Sequence, residues 1–273
     1  MADNSYIPPK VLSIAGFDGS CGAGLQADLK VISSLKCYGL NILTSLPIQN
    51  TMGVQDIFEI PASAVEKQLY CMFEDITPNA IKIGMLFNSE IIKVVANFLA
   101  KNALGIPIVL DPVMVAKSGD TLLLKEAITT MKKYLIPLVE VITPNLAEAS
   151  ILINKEINTL KDMEESAKEI LQLGCKSVLL KGGHLNSNDS NDFYLDNKSN
   201  SLWLQAKRID TNNNHGTGCT LSASIASFIA LGKNTLESCK LAKEYTFQAL
   251  ANADKLKMGK GHGSLHHFYD LWN

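Results

Sequence analysis

Short apolar runs rich in β-branched residues alternate along the chain with longer runs whose apolar positions recur at helical spacing. The first kind predicts strands and the second amphipathic helices. Strands are expected at 11–15, 41–46, 80–83, 107–110, 139–143 and 177–180. Helices are expected at 24–35, 62–73, 90–101, 122–134, 146–152, 163–173, 217–231 and 235–251. Two weaker apolar runs, 192–195 and 202–205, flank a polar Asn/Ser turn and predict a hairpin. Strands alternating with helices imply an α/β fold: a mostly parallel sheet, helices on both faces and the hairpin antiparallel at one edge. No linker rich in Pro, Gly or Ser and no internal repeat interrupts the pattern. A single domain over 1–273, with its core at about 11–268, is therefore expected.

Composition supports a large core and narrows the partners. The 273 residues are 47% hydrophobic and 19% charged, with a formal net charge of −2. Neither a basic run nor basic–aromatic interleaving is present, which argues against nucleic acid as a partner. No apolar run approaches the roughly 20 residues of a membrane-spanning helix, and the first residues have no secretory pattern. The six cysteines show neither C-x-x-C pairing nor metal-finger spacing, so reduced thiols and a cytoplasmic location are expected.

Residues with chemistry sit where the predicted strands end. In open parallel sheets ligands bind beyond those carboxyl ends, so one cleft is expected to collect them. The richest stretch is Asp210-Thr211-Asn212-Asn213-Asn214-His215-Gly216-Thr217-Gly218-Cys219-Thr220, a glycine turn running into a helix of small residues. Backbone N–H groups converge at such a turn, and the helix dipole adds positive potential. The site suits a phosphate or a developing oxyanion, and its field is expected to draw the Cys219 thiol toward a thiolate.

The other motifs each carry a plainer alternative. Ile14-Ala15-Gly16-Phe17-Asp18-Gly19-Ser20-Cys21-Gly22-Ala23-Gly24 joins the first strand to the first helix, but is neither a Walker A loop nor a strict G-x-G-x-x-G. Asp28, in the helix that follows, reads alone as a solvated or capping carboxylate. Gln49 can read an aminopyrimidine edge with its donor and acceptor, or simply brace its loop. In Lys82-Ile83-Gly84-Met85, Gly84 permits close approach, and Met85 is either a wall of the pocket or core filling. Asp111 and Glu148 are oxygen donors suited to Mg²⁺. Each alone also fits helix capping, and Asn145-x-x-Glu148 has the form of a capping box. Lys181, ahead of Gly182-Gly183-His184, can meet a transferring phosphate as a point charge. His184 reads as an idle loop histidine. His262, His266 and His267 lack the Cys or acidic partners of a recognisable metal site.

Together these motifs resemble the hydroxymethylpyrimidine/phosphomethylpyrimidine kinases of thiamine biosynthesis, in the ribokinase-like superfamily. The resemblance is carried by 13–28, Gln49-Asn50-Thr51, 82–86, 110–120, 141–148, 181–185 and 215–222. It implies a three-layer sandwich, and ATP with Mg²⁺ as co-reactants. It implies two successive phosphorylations, of 4-amino-5-hydroxymethyl-2-methylpyrimidine and then of its monophosphate. Substrate contacts are implied at Gly16, Asp28, Gln49, Met85 and Val113. Metal and phosphate positions are implied at Asp111, Glu148 and Lys181, with Gly216, Thr217, Gly218 and Cys219 around the phosphate. An assisting monovalent cation and a homodimer are left open. Phe17, Gly19, Cys21, Pro47 and Ile48 depart from the family pattern near the expected pyrimidine pocket.

The cysteine suggests how one site could serve both acceptors. Many ribokinase-like sugar kinases carry an aspartate as general base at this position. A thiolate is expected to serve the alcohol here, while a thiol that can stay neutral avoids repelling the monophosphate. Two rival readings remain: a pyridoxal kinase of the same superfamily, and a non-catalytic ligand-binding protein on the same fold.

Overall fold

The computed structural model of the chain describes residues 6–114, 125–183 and 189–272. The chain opens with β1 (Lys10–Ala15), α1 (Gly24–Ser34) and β2 (Tyr38–Leu43). A hairpin of β3 (Ser45–Asn50) and β4 (Gly53–Glu59) leads to α2 (Ala62–Asp75), β5 (Ala80–Ile83), α3 (Ser89–Asn102) and β6 (Ile108–Leu110). Then come α4 (Lys125–Thr130), β7 (Val141–Ile142), α5 (Leu146–Ile153), α6 (Leu160–Leu171) and β8 (Ser177–Lys181). The antiparallel pair β9 (Asp192–Asp196) and β10 (Ser201–Leu204) precedes α7 (Thr217–Ala230) and α8 (Thr235–Ala251).

Eight strands form one sheet in the order β10-β9-β8-β7-β6-β5-β1-β2. Pairing is parallel from β2 to β8 and antiparallel at β8–β9 and β9–β10. Side chains alternate across the pleat. Leu12, Ile14, Ile81 and Ile83 pack against apolar residues of α2 and α3. Val11, Ala80, Val109 and Val141 pack instead against Leu221, Ile225 and Ala226 of α7 and Ala242 of α8. The result is the helix–sheet–helix sandwich expected from the pattern, with the expected hairpin as β9 and β10 at one edge.

Three elements differ from expectation. The strand expected at 41–46 ends at Leu43. Thr44 leaves the sheet there: its N–H donates to Ala15 O, and its hydroxyl to Met85 O at 2.6 Å. Residues 45–59 become a separate two-stranded hairpin. Pro47 is tolerated in it because both strands are edges. The exposed Ile48, Met52 and Phe58 blur the alternation that would have revealed it. The helix expected at 122–134 begins outside the described residues. From Lys125 it runs as α4, widens to π geometry at Met131–Leu135 and tightens to a 3-10 turn at Ile136–Leu138, where Pro137 stops it. The strand expected at 139–143 narrows to Val141–Ile142.

Candidate active site

A cleft of about 790 Å³ opens along the carboxyl ends of the parallel strands. Four of these strands deliver a side chain or a turn to it. β1 delivers Gly16, β5 delivers Lys82 and Met85, β6 delivers Asp111 and Val113, and β8 delivers Lys181. The start of α5 contributes Asn145 and Glu148, and the start of α7 contributes Gly216, Thr217, Gly218 and Cys219.

The α7 terminus is the electropositive point of this cleft. Gly216 lies at φ +82°, a left-handed conformation suited to glycine, and no side chain caps the helix. Its first N–H groups are therefore available to an anion. Side chains do cap α3 (Asn88), α5 (Asn145) and α8 (Asn234), whereas α1 and α2, like α7, have no side-chain cap. Gly218 faces the Lys181–Asp111 ion pair, whose charged atoms lie 3.0 Å apart. A Cβ added at Gly218 would lie 3.1 Å from both Lys181 Nζ and Asp111 Oδ2. Carboxylate, ammonium and helix terminus thus meet at one place.

Glu148 fills the capping role that its spacing allowed, and it also stands in the cleft. Its Oε2 accepts the Asn145 N–H at 2.8 Å, completing a capping box on α5. It also lines the cleft and is buried. Burial, with the Asp111 carboxylate nearby, pushes its pKa up to about 7 against the pull of Lys181. Two buried carboxylates that repel each other are suited to share a hard cation. No group of three or more His, Cys, Asp or Glu side chains able to hold a metal occurs among the described residues. Mg²⁺ arriving with a nucleotide needs only one or two protein carboxylates, so the donor set fits.

Cys219 corrects the expected thiolate. Burial pushes its pKa up to about 11, outweighing the Lys82 ammonium and the Gly24 N–H that donates to the sulfur, and Asp28 and Asp111 push the same way. The side chain is a neutral thiol at neutral pH. Asp28 likewise lies elsewhere than its expected place against the substrate. It is fully buried, does not line the cleft, and is ion-paired to Lys82 at 2.7 Å. Gly16, Gln49, Met85 and Val113 do line the cleft. There the Gln49 amide donates to Phe17 O at 3.4 Å.

Several supporting residues escaped the sequence reading. Asp18 accepts from Gly22 N and Ala23 N and pairs with His215 Nε2 at 2.8 Å, tying the opening loop to the α7 turn. Burial opposes the Asp18 charge, but hydrogen bonds from His215, Ser20 and Ala23 hold its pKa down to about 2. Asp192 accepts from Gly182 N and pairs with Lys243 Nζ at 2.7 Å, fixing the loop behind Lys181. Contacts across 197 residues, as between Asp18 and His215, leave no local signal. Lys82 did leave one, as a lone charge inside an apolar strand. His184 lies outside the described residues. His262 lines the cleft, whereas His266 and His267 are buried in the C-terminal segment.

A family model described as phosphomethylpyrimidine kinase matches residues 18–266. The chain belongs to that family. A hydroxymethylpyrimidine/phosphomethylpyrimidine kinase from Rhizobium meliloti is 42% identical over 262 residues, covering 96% of this chain and 97% of that protein. A phosphomethylpyrimidine kinase structure from Clostridium difficile matches at 40% identity and TM-score 0.77, over 87% of this chain and 97% of that one. A pyridoxal kinase from Staphylococcus aureus, solved with AMP-PCP and pyridoxal, matches at 35% identity and TM-score 0.88, over 97% and 96%. This member of the phosphomethylpyrimidine kinase family is a phosphotransferase. No helix among its described residues is long and apolar enough to cross a membrane.

Proposed function

We propose that this kinase transfers the γ-phosphoryl group of ATP to 4-amino-5-hydroxymethyl-2-methylpyrimidine, and then a second phosphoryl group to the monophosphate, in thiamine biosynthesis. The carrying observation is the uncapped α7 terminus facing Lys181 and Asp111, with Gln49, Met85 and Val113 lining the same cleft. The 216–219 turn holds the transferring phosphoryl group, and Lys181 meets it as a fixed charge. Asp111 and Glu148 would hold magnesium, which would neutralise negative charge on the phosphates of ATP. Gln49 reads the aminopyrimidine edge, with Met85 and Val113 as apolar walls.

In the first step the hydroxymethyl oxygen bonds to the γ-phosphorus as the bond to the β–γ bridging oxygen breaks. ADP leaves with that electron pair, and the hydroxyl proton passes to an oxygen of the transferred group. A loose transition state asks little of a base, so a neutral Cys219 thiol is compatible with this step. In the second step a phosphate oxygen attacks and has already lost its proton. A neutral thiol leaves that anion unrepelled. Cys219→Asp is expected to slow the second transfer about tenfold or more beyond its effect on the first. Equal losses in the two steps would refute the role given to the thiol.

Pyridoxal kinase is a second reading, favoured by the close likeness to the Staphylococcus aureus structure. Gln49 favours the aminopyrimidine, because one amide can pair with an amino group and a ring nitrogen together. Steady-state assays with both acceptors decide between them. A higher kcat/KM for pyridoxal than for the pyrimidine would reverse the assignment.

A further inference from the structure

Lys82 and Asp28 form a buried ion pair that the transfer described above leaves unused. Both side chains are fully buried, and their charged atoms lie 2.7 Å apart. The Ser13 hydroxyl also donates to Asp28 Oδ2, while Asp28 Oδ1 has no partner. Around Lys82 the strand is apolar, with Ile81 and Ile83 fully buried. A buried pair of this kind is often no more stabilising than apolar side chains of similar volume. Stability alone therefore gives little account of it.

The pair is oriented. Lys82 lines the cleft and Asp28 does not. The ammonium lies against the turn that leads from β5 to Met85, where a Cβ added at Gly84 would be 2.7 Å from Nζ. Asp28 lies one helical turn beyond Gly24 on α1, on the side packed into the core. The positive end of the pair therefore lies nearer the cleft than the negative end, with both beneath its surface. Of the other ammonium groups lining the cleft, Lys181 is engaged with Asp111 beside Gly218 and Lys243 with Asp192.

We infer that Lys82, held by Asp28, is a positioning residue that sets acceptor preference: its ammonium is a fixed positive end beneath the acceptor pocket, favouring the monophosphate of the second transfer over the neutral alcohol of the first. The inference rests on the proposed two-step function. A charged acceptor must approach a nucleotide that is itself an anion, and a neutral alcohol faces no such repulsion. In a dry site a preorganised charge acts strongly on the reactant that carries charge and weakly on the one that does not. Lys82 does this without touching substrate. Asp28 acts through Lys82, which explains why a carboxylate at this position lies off the cleft.

The test is made on the full chain carrying Lys82→Met and Asp28→Asn, which removes both charges and keeps a partner for Ser13. Steady-state rates are measured with each acceptor. The expected result is a fall of about 30-fold in kcat/KM for the monophosphate and less than about fivefold for the alcohol, with KM for ATP changed less than about twofold. Equal losses with both acceptors, or no loss, overturn the inference and leave the pair a purely structural feature. If the double variant does not fold, Gly84→Ala replaces it. That variant keeps both charges, pushes Nζ aside and is judged by the same two outcomes. Wild-type protein that makes no diphosphate overturns the two-step function and this inference together. Wild type that makes it, with variants losing both steps equally, overturns the inference alone.

Discussion

At Cys219 and Gly218, single atoms decide what the cleft can do. The thiol sits at a helix N-terminus beside an ammonium, yet burial prevails and its pKa is pushed up to about 11. Position along a helix was visible in the sequence; the Asp28 and Asp111 carboxylates that act on the sulfur from other elements were not. A Cβ on Gly218 would press to 3.1 Å from both members of the Lys181–Asp111 pair, and the two methyl groups of a valine would crowd them further. Gly218→Val is therefore expected to lower kcat by about 100-fold or more, the scale of losing a preorganised anion-binding contact. Normal turnover in that variant, measured with unchanged ATP binding, would remove the anion site from this turn. His267 shows burial acting on stability. It is buried, its Nε2 pairs with the Thr220 hydroxyl at 3.0 Å, and burial, then Lys30 and His266, lower its pKa to about 3. The folded state keeps this histidine neutral, whereas the unfolded chain protonates it near pH 6.5. Its stabilising contribution is complete above that pH and is lost as pH falls toward 3. At pH 5 the loss from this group is about 2 kcal/mol. Urea titrations of wild type and His267→Gln at pH 5 and 7.5 check this. The variant is expected to show the smaller difference between the two pH values.

At the scale of elements, strand ends and helix starts assemble the cleft, and these were the most legible parts of the chain. β1, β5, β6 and β8 fell close to their expected places because each is a short, buried apolar run. Asn145 and Glu148 announced their capping box through spacing alone. The β3–β4 hairpin was illegible because its strands are half exposed and carry Pro47, so periodicity gave no signal. Its turn is also held by a distant segment. Thr51 O accepts from His262 N at 2.8 Å, and Thr51 Oγ1 from Gly261 N at 3.2 Å. A Cβ on Gly261 would fall 2.0 Å from Thr51 O. Gly261→Ala is expected to push the C-terminal segment off the hairpin. KM for the acceptor should rise about fivefold or more while the core stays folded. Unchanged KM values would show that this junction does not shape the cleft.

Across the whole molecule, a parallel sheet between two helical layers brings together groups scattered from Gly16 to His262. The family likeness spans nearly all of this arrangement, since the matching model covers 18–266. In the proposed function the uncapped α7 terminus and Lys181 hold the transferring group, while Gln49, Met85 and Val113 receive the acceptor. The proposal gives the Cys219 thiol and the buried Lys82 ammonium the task of letting two acceptors share one site. The most direct test follows the products by mass spectrometry after mixing the protein with ATP, magnesium and 4-amino-5-hydroxymethyl-2-methylpyrimidine. The account predicts a monophosphate that rises and then falls as the diphosphate replaces it. A monophosphate that accumulates without conversion, or no phosphorylated pyrimidine at all, would contradict it.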